Sequence, residues 1–493
     1  MLERTSTVIL HPTSLPGPYG IGDLGPQARR WIDWLASTNT RYWQVLPLGP
    51  TGYGDSPFQC FSAFAGNPYL ISPDGLVDLG LLESVEGPGF PDDHVEYGDV
   101  IPWKTGVLDT AYDRFIAGAG IEGIGDEFEQ FKSENATWLD DFALFMAIKE
   151  ENELHPWTKW EPGLRLRDPA ALDEARSRLG ASIDRQAFRQ FLFFRQWFEL
   201  RWYAGEHAIR IIGDIPIYVA SDSADAWAHP HLFEIDEQGE AIAVAGVPPD
   251  YFSPTGQLWG NPLYRWDVLA EGGFEWWLDR LASTFALYDI VRIDHFRAFA
   301  DYWRVPAGSE TAETGTWLDG PGIAFFDAVR QRFGDLAIIA EDLGELSPKV
   351  PALIEATGLP SMKVLQFGFS TDLTDPFIPD NYPENCVVYV GTHDNDTAVG
   401  WYESATKRER HFARKYLGSD GTDIAWDLID TAWQSRAVLA GATLQDILGR
   451  GTEARMNTPS VPGGQWQWRF EDGVLSPGLA KRLRDVNHRT HRV

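Results

Sequence analysis

The segment DIVRIDHF (289–296) is a short apolar run that also carries Arg292, Asp294 and His295. A charged group is costly to bury unless it is paired or faces a hydrated cavity. Side chains two residues apart on a strand point to the same face, so Arg292 and Asp294 would share one side of such a strand. The segment is therefore either a buried strand with a structural ion pair or the floor of an active site.

Six further apolar runs end in polar or charged residues in the same way. They are TVILHPTSL (7–15), YWQVLPLGP (42–50), IRIIGDIPIYV (209–219), LAIIAEDLG (336–344), MKVLQFGF (362–369) and CVVYVGTHDND (386–396). Near-continuous apolar runs are typical of strands buried on both faces of a parallel sheet. Helical patterns lie between them, for example over 187–208 and 322–334. This alternation predicts an α/β fold and favours a (β/α)8 TIM barrel over an open sheet, with ATLQDILG (442–449) as the eighth strand.

Two segments interrupt the alternation. Residues 52 to about 180 contain Gly/Pro-rich loops and amphipathic helices without a clear strand, which predicts an inserted, largely helical subdomain. Residues 246–264, GVPPDYFSPTGQLWGNPLY, are crowded with Pro, Gly and aromatic residues. This composition predicts a structured loop, which on top of a barrel would form an active-site lid or a substrate wall. We therefore expect residues 1–493 to form one catalytic barrel with insertions around the C-terminal ends of its strands.

The chain is strongly acidic, with a formal net charge of −31 and only nine lysines among its 41 basic residues. This charge disfavours nucleic acids and anionic membranes as partners. An acidic, lysine-poor surface suits a halophilic protein, because high salt screens self-repulsion. An ordinary acidic protein is the alternative interpretation.

Cys60 and Cys386 are the only cysteines, so no disulfide framework exists and a reducing compartment is expected. The N-terminal apolar run is too short for a signal peptide, and no run approaches the ~18 apolar residues of a membrane span. We expect a soluble, cytoplasmic protein.

A carboxylate lies at the C-terminal end of four predicted strands: Asp214, Asp294, Glu341 and Asp394. Any one of them alone could be a helix N-cap, but a parallel barrel brings all four strand ends to one face. Retaining cleavage of a glycosidic bond needs one carboxylic acid to protonate the leaving oxygen and a second carboxylate to attack the anomeric carbon. The pKa values of the two must differ, and Arg292 supplies a cation beside Asp294. The pattern indicates glycoside chemistry.

The motifs around these carboxylates resemble those of a known superfamily. VRIDHF, IIAEDLG and GTHDND resemble the second, third and fourth conserved regions of the α-amylase superfamily, and GDIPIYV resembles the first. A closer resemblance is to the 4-α-glucanotransferase family, also called amylomaltase or disproportionating enzyme. It is carried by HPTSLPGPYGIGDLG (11–25), LPLGPTGYGDSPF (46–58), FAGNPYLI (64–71), the segment 246–264 and RMNTP (455–459).

The resemblance implies a retaining double displacement on α-1,4-glucans, with glucose or another glucan as acceptor. By matching motif positions, it implies that Asp294 is the nucleophile, Glu341 the general acid/base and Asp394 the residue that distorts and holds the sugar. The other implied substrate-binding residues are Asp214, Arg292, His295 and His393, the stacking residues Tyr53, Trp259 and Phe367, and the hydrogen-bonding residues Asp250, Gln257 and Asn457. Core packing is the alternative for the aromatic rings, and core hydrogen bonding for the histidines.

Three departures from the family pattern affect the outer subsites and the C-terminal loop. Phe58 occupies the tyrosine position of SPYQ, Ser460 replaces a glycine, and Gln465 replaces an asparagine. The sequence contains neither a D-x-D-x-D-G calcium loop nor zinc-like Cys/His spacing, so we expect no metal and no cofactor. Two alternative functions stay open at this point: an α-glucan hydrolase with the same site, and a glucan-binding protein without activity.

Overall fold

A computed structural model describes residues 3–249, 253–344, 346–370, 372–461 and 463–493 of the chain. Within these residues the strands are β1 (Thr5–Ile9), β2 (Tyr42–Gln44), β3 (Arg210–Pro216), β4 (Ala243–Val247), β5 (Gln257–Pro262), β6 (Ile290–Asp294), β7 (Asp301–Pro306), β8 (Thr316–Asp319), β9 (Ile338–Ala340), β10 (Ser361–Val364), β11 (Cys386–Tyr389) and β12 (Leu439–Thr443). The α-helices are α1 (Pro26–Ser37), α2 (Pro73–Asp78), α3 (Tyr97–Ile116), α4 (Ile124–Glu151), α5 (Pro162–Arg165), α6 (Pro169–Glu206), α7 (Ala224–Ala228), α8 (Trp266–Glu271), α9 (Glu275–Leu287), α10 (Ile323–Phe333), α11 (Lys349–Thr357), α12 (Ala398–Ser404), α13 (Lys407–Leu417), α14 (Ile424–Gln434), α15 (Leu444–Ile447) and α16 (Pro477–Arg489).

Eight of the strands form one parallel sheet that curves into a barrel. Its order is β10-β11-β12-β1-β2-β3-β6-β9, so the first strand of the chain pairs with the last. At the remaining seam Ala340 N donates to Pro360 O over 3.0 Å, and Met362 N donates to Asp342 Oδ1 over 2.7 Å. The predicted (β/α)8 TIM barrel is confirmed.

Strand β6 alternates between the inside and the outside of this barrel. Ile290 belongs to an apolar cluster with members from all eight barrel strands, which therefore fills the interior. Val291 and Ile293 belong instead to the larger cluster between the strands and the surrounding helices. Arg292 and Asp294 follow Ile290 at the two-residue period, so they project inward at the end of the strand.

The prediction of residues 442–449 as the eighth strand is wrong in its position. The strand is β12, and half of the predicted segment forms helix α15. The sequence LAGAT hides a strand because small residues have low β propensity. Position 441 requires glycine, since a Cβ on Gly441 would lie 2.7 Å from the ring of Tyr389 on the neighbouring strand β11.

The chain between β2 and β3 carries helices α2 to α6, and the longest of them, α6, continues past residue 180 to Glu206. Aromatic rings hold α3, α4 and α6 together: Phe115 stacks on Phe188 at 4.4 Å, and Phe128 meets Phe188 edge-on at 5.3 Å. This packing accounts for some of the many aromatic residues in the chain. No helix in the described ranges combines the length and the apolar character needed to cross a membrane.

Parts of two strands lie in the segment 246–264, which the sequence predicts as a structured loop: β4 ends at Val247, and β5 covers Gln257–Pro262. β4 and β5 pair antiparallel, and β7 and β8 extend this second sheet in the order β5-β4-β7-β8. The Pro and Gly content of residues 246–264 makes these strands hard to predict, since both residues are uncommon inside sheets. Gly256 and Gly260 adopt φ values of +70° and +78°, which residues with a Cβ rarely take. Residues 250–252 lie outside the described residues.

Candidate active site

Arg292 bridges two carboxylates at the C-terminal end of the barrel. Its Nη1 donates to Asp214 Oδ1 and Oδ2 over 2.8 and 2.7 Å, and its Nη2 contacts Asp294 Oδ1 at 2.8 Å. The neighbouring strands β3 and β6 place Asp214 directly opposite Arg292. Asp214 and Arg292 are buried, whereas 29% of the Asp294 side chain is exposed to the cleft. The structural ion pair and the active-site floor are therefore the same group of residues.

Burial raises the pKa of Asp214 above its ordinary value, although Arg292 opposes the shift. Arg292 contacts Asp214 through Nη1 and Asp294 through Nη2, so its guanidinium group links the two carboxylates.

Glu341 follows strand β9 and lies beside Asp294. Its Oε2 accepts a hydrogen bond from His295 N over 2.7 Å, and its Oε1 accepts one from Leu343 N over 2.9 Å. Burial, followed by the charge of Asp294, raises the pKa of Glu341 to about 7, although Arg292 and the two amides oppose this shift. A carboxyl group with this pKa can give up and regain a proton near neutral pH.

His295 serves the site through its backbone. Its φ of +55° lies in the left-handed region, which non-glycine residues adopt infrequently. The amide of this residue is the one that donates to Glu341. Its imidazole lies perpendicular to the Trp259 ring, with centroids 4.6 Å apart, and burial together with Arg297 lowers its pKa to about 3. The ring is therefore neutral at physiological pH.

Asp394 lies beyond strand β11 and is held by several hydrogen-bond donors. Asn457 Nδ2 donates to its Oδ1 over 2.6 Å, His393 Nε2 lies 3.3 Å from its Oδ2, and Arg455 Nη2 donates to its carbonyl over 2.6 Å. Burial opposes ionisation, but His393 and Asn457 outweigh it and hold the pKa of Asp394 well below its ordinary value. Although the carboxyl is enclosed on one side, 44% of the side chain faces the cleft. Asp394 is therefore a stable anion with a partly exposed carboxylate.

His393 packs against two aromatic rings. Phe58 stacks on it with centroids 4.7 Å apart and planes at 20°, and Trp466 lies 5.9 Å away. Burial lowers the pKa of His393, but the charge of Asp394 outweighs this and raises it above the ordinary value. The sequence marks Phe58 only as a residue that lacks a hydroxyl, so its contact with His393 could not be predicted from the motif.

The predicted outer-subsite residues Gln257, Trp259 and Phe367 lie in different parts of the fold. Trp259 Nε1 donates to Gln257 Oε1 over 3.2 Å, which ties two predicted binding residues together on β5 beside His295. Phe367 lies in a short 3-10 turn after β10 and meets Phe377 edge-on at 5.5 Å, so it has a packing role whether or not it contacts a sugar.

Two predicted binding residues remain untested by the geometry. Tyr53 lies in a 3-10 turn over residues 53–55, and its side chain is not among the described groups. Asp250 lies outside the described residues.

Residues of the segment 455–465, which includes the RMNTP motif, hold Asp394 and Asn457 in place. Arg455 donates to the carbonyl oxygens of Asp394 and Asn457, each over 2.6 Å. Gln465 Oε1 accepts from Thr458 N over 2.7 Å and so stabilises the loop that carries Asn457. Ser460 adopts a φ of +65°, which explains why a glycine would suit this position. Among the described residues, no group of three or more His, Cys, Asp and Glu side chains is arranged to hold a metal ion.

The chain is similar to known proteins in both sequence and structure. The family described as 4-alpha-glucanotransferase (glycoside hydrolase family 77) matches residues 10–475. The 4-alpha-glucanotransferase of Thermus thermophilus is 49% identical over 500 residues, covering 100% of both chains. That of Synechocystis sp. is 47% identical over 488 residues, covering 98% of this chain and 96% of the relative. Amylomaltase from Streptococcus agalactiae, solved in complex with acarbose, superposes with a TM-score of 0.96 at 38% identity, covering 99% of this chain and 100% of that one.

Proposed function

The chain belongs to the 4-alpha-glucanotransferase family and shares its activity in carbohydrate metabolism, and we propose how its residues divide the reaction. The nucleophile is Asp294, the general acid/base is Glu341, and Asp394 holds the sugar at the cleavage position. One observation carries this assignment: Arg292 pairs with Asp294 at 2.8 Å, while burial and the charge of Asp294 raise the pKa of Glu341 to about 7. A retaining enzyme needs this division between an ionised and a protonated carboxyl.

In the first step a carboxylate oxygen of Asp294 attacks the anomeric carbon of the donor glucan. The bond from that carbon to the glycosidic oxygen breaks, and Glu341 transfers its proton to the leaving oxygen. The product is a glycosyl ester on Asp294 and a shortened glucan with a free 4-hydroxyl. Arg292 orients the attacking carboxylate, and the anion of Asp394 accepts hydrogen bonds from hydroxyls of the distorted sugar.

In the second step the 4-hydroxyl of an acceptor glucan or of glucose takes the place of the leaving group. Glu341, now ionised, removes the hydroxyl proton while the oxygen attacks the anomeric carbon and releases Asp294. Water competes for the same intermediate, so the acceptor subsite must bind sugar and exclude water. The position of Trp259 against His295 supports an aromatic wall there, and we propose that the segment 246–264 acts as a lid over this subsite.

Incubation with maltotriose distinguishes a transferase from a hydrolase and from a binding protein. A transferase produces glucose and longer chains while the number of reducing ends stays constant. A rising number of reducing ends would instead indicate a hydrolase, and an unchanged product distribution would indicate a binding protein. Chromatography of the products together with a reducing-sugar assay distinguishes the three outcomes.

Trapping the glycosyl ester tests the residue assignment. Glu341→Gln treated with α-maltosyl fluoride should accumulate a covalent maltosyl adduct, because fluoride leaves without protonation but the second step lacks its base. Peptide mapping should place the adduct on Asp294. Asp294→Asn should give no adduct and no transfer, whereas the surface control Asp420→Asn should behave like the unmodified protein. An adduct on any other residue would refute the nucleophile assignment.

We further propose that the protein works in the cytoplasm of a salt-rich cell. The unpaired thiols of Cys60 and Cys386 and the net charge of −31 support this location and this adaptation. Detection of the protein outside the cytoplasmic fraction would contradict the first part.

A further inference from the structure

A second cavity of about 340 Å³ lies outside the active site. Its volume is within the range of ~300–1,000 Å³ that is usual for small-molecule pockets. Helix α4 forms one side, helices α8 and α9 form the other, and Ser62, Phe64 and the α7 region complete the wall. The three proposed catalytic carboxylates are not among its lining residues, so the cavity is separate from the reacting centre.

Aromatic rings form flat walls in this cavity. Phe64 and Trp138 lie nearly parallel, with planes at 12° and centroids 6.5 Å apart, and Trp276 meets Phe64 edge-on at 5.9 Å. Trp138 is held from behind by Phe142 and Phe194, at 6.1 and 5.7 Å. All three wall rings are partly exposed, so the packing leaves ring surface open to a ligand with flat apolar faces.

The inner end of the cavity is polar. Ser62 and Asp225 are 5% and 4% exposed. Ser62 Oγ accepts from Phe64 N and Ala65 N over 3.0 and 3.2 Å, and in the described part of the chain its hydroxyl donates to no acceptor. Asp225 Oδ2 accepts from Ala63 N over 2.8 Å. The floor therefore offers a hydroxyl donor beside a carboxylate acceptor, which is the pair that a sugar hydroxyl can use.

The charge of the lining excludes anionic ligands. Four carboxylates, Asp141, Asp225, Glu275 and Asp279, line the cavity, and the described residues there include neither Lys nor Arg. Arg167 and Arg332 approach from outside the lining and pair with Asp141 and Asp279, each at 2.7 Å. Because these arginines offset two of the four carboxylates, the lining disfavours anions without requiring a cation. Its apolar walls and hydroxyl-binding groups fit a neutral polyhydroxylated ligand.

We propose that this cavity is a second carbohydrate-binding site that holds a distal segment of an α-glucan. This inference rests on the proposed function, because that function supplies the α-glucan. Phe64 in the cavity wall follows Phe58 by six positions, and Phe58 stacks on His393 in the active site. Holding a long chain here raises the effective concentration of glucan at the reacting centre. Short substrates that cannot span the two sites gain nothing.

Filling the cavity is the sharpest test. Thr137→Arg, at an exposed position of α4 on the rim, places a long side chain across the opening without removing core contacts. Trp138→Ala removes one wall, and Trp202→Ala is a control at an aromatic residue of α6 that is 67% exposed and not among the lining residues. With amylose the first two variants should raise KM about fivefold or more, the effect of losing one aromatic contact. Their kcat/KM for maltotriose should stay unchanged, as should both parameters in the control.

Calorimetry separates this inference from the proposed reaction. In the Asp294→Asn background, maltoheptaose should bind at two sites per chain, and adding Thr137→Arg should leave one. One site in both proteins, or an unchanged KM for amylose in a folded Thr137→Arg variant, would refute the second site. Two sites in the Asp294→Asn protein, together with no transfer from maltotriose by the unmodified protein, would support the cavity and refute the proposed function instead.

Discussion

We predict that Glu341 sets the alkaline limit of activity with natural glucans. Its pKa is raised to about 7 by burial and by the charge of Asp294, and only the protonated form can donate to the leaving oxygen. Above pH 7 the protonated fraction falls ~10-fold for each pH unit. The kcat/KM for maltotriose should therefore be about 100-fold below its plateau at pH 9, with a slope of about −1 on a logarithmic plot.

Comparing two glycosyl donors, maltotriose and α-maltosyl fluoride, isolates the effect of protonating the leaving group. α-Maltosyl fluoride needs no protonation to leave, so the alkaline decrease in kcat/KM should be absent with this donor. Glu341→Gln should lose transfer from maltotriose by orders of magnitude while it keeps glycosylation by the fluoride. Identical pH profiles for both donors would refute the acid assignment.

The neighbouring carboxyl Asp342 provides a matched control. Burial raises the pKa of Asp342 as well, but its Oδ1 accepts from Met362 N at the barrel seam and not from the site. Asp342→Asn keeps an acceptor for that bond, so the alkaline limb should not move. A shifted limb in this variant would mean that Glu341 is not the titrating group.

Four further outcomes follow from the contacts of the site. Asn457→Ala removes the 2.6 Å donor to Asp394, a bond to a charged group worth about 1.5–3 kcal/mol, so kcat/KM should fall about 10–100-fold, and an unchanged value would contradict the role of Asp394. Arg292→Met leaves carboxylates without their cation and should lower the free energy of unfolding by about 3–5 kcal/mol in urea titrations, whereas a loss under ~1 kcal/mol would show that the bridge contributes little. Because the pKa of Glu341 is raised in the folded protein, stability is lost as the pH rises through 7, so Glu341→Gln should be the more stable protein in thermal unfolding at pH 8, with a smaller difference at pH 5. Dialysis from ~1 M to ~0.01 M salt lengthens the Debye length from ~3 to ~30 Å, so the net charge of −31 should lower the melting temperature, and an unchanged value would contradict adaptation to salt.

The barrel and its inward carboxylates could be predicted because they follow from local rules. Buried parallel strands have near-continuous apolar sequences, and a two-residue period places Arg292 and Asp294 on one face. The ends of parallel strands meet at one edge, which is why Asp214, Glu341 and Asp394 lie near them. Motif resemblance then supplied the distinction between nucleophile and acid, which spacing alone leaves open.

The remaining features depend on contacts between distant parts of the chain. Strand β12 has small residues because Gly441 faces the ring of Tyr389, and no local pattern records that contact. The stack of Phe58 on His393 joins residues more than 300 positions apart. The hydrogen bond from Arg455 to the carbonyl of Asp394 spans 61 positions and likewise forms only after folding. The second sheet, β5-β4-β7-β8, could not be predicted because its strands contain Gly and Pro, which are uncommon inside sheets.

The left-handed backbone at His295 has a consequence for engineering this enzyme. Since the main-chain amide, not the imidazole, contacts Glu341, a neutral side chain at position 295 leaves this hydrogen bond in place. Asn also tolerates a φ near +55°, so His295→Asn keeps the backbone geometry. The ring nevertheless lies against Trp259, beside the proposed acceptor subsite. Residue 295 is thus a position where acceptor preference can be retuned while the chemistry at the anomeric carbon stays intact.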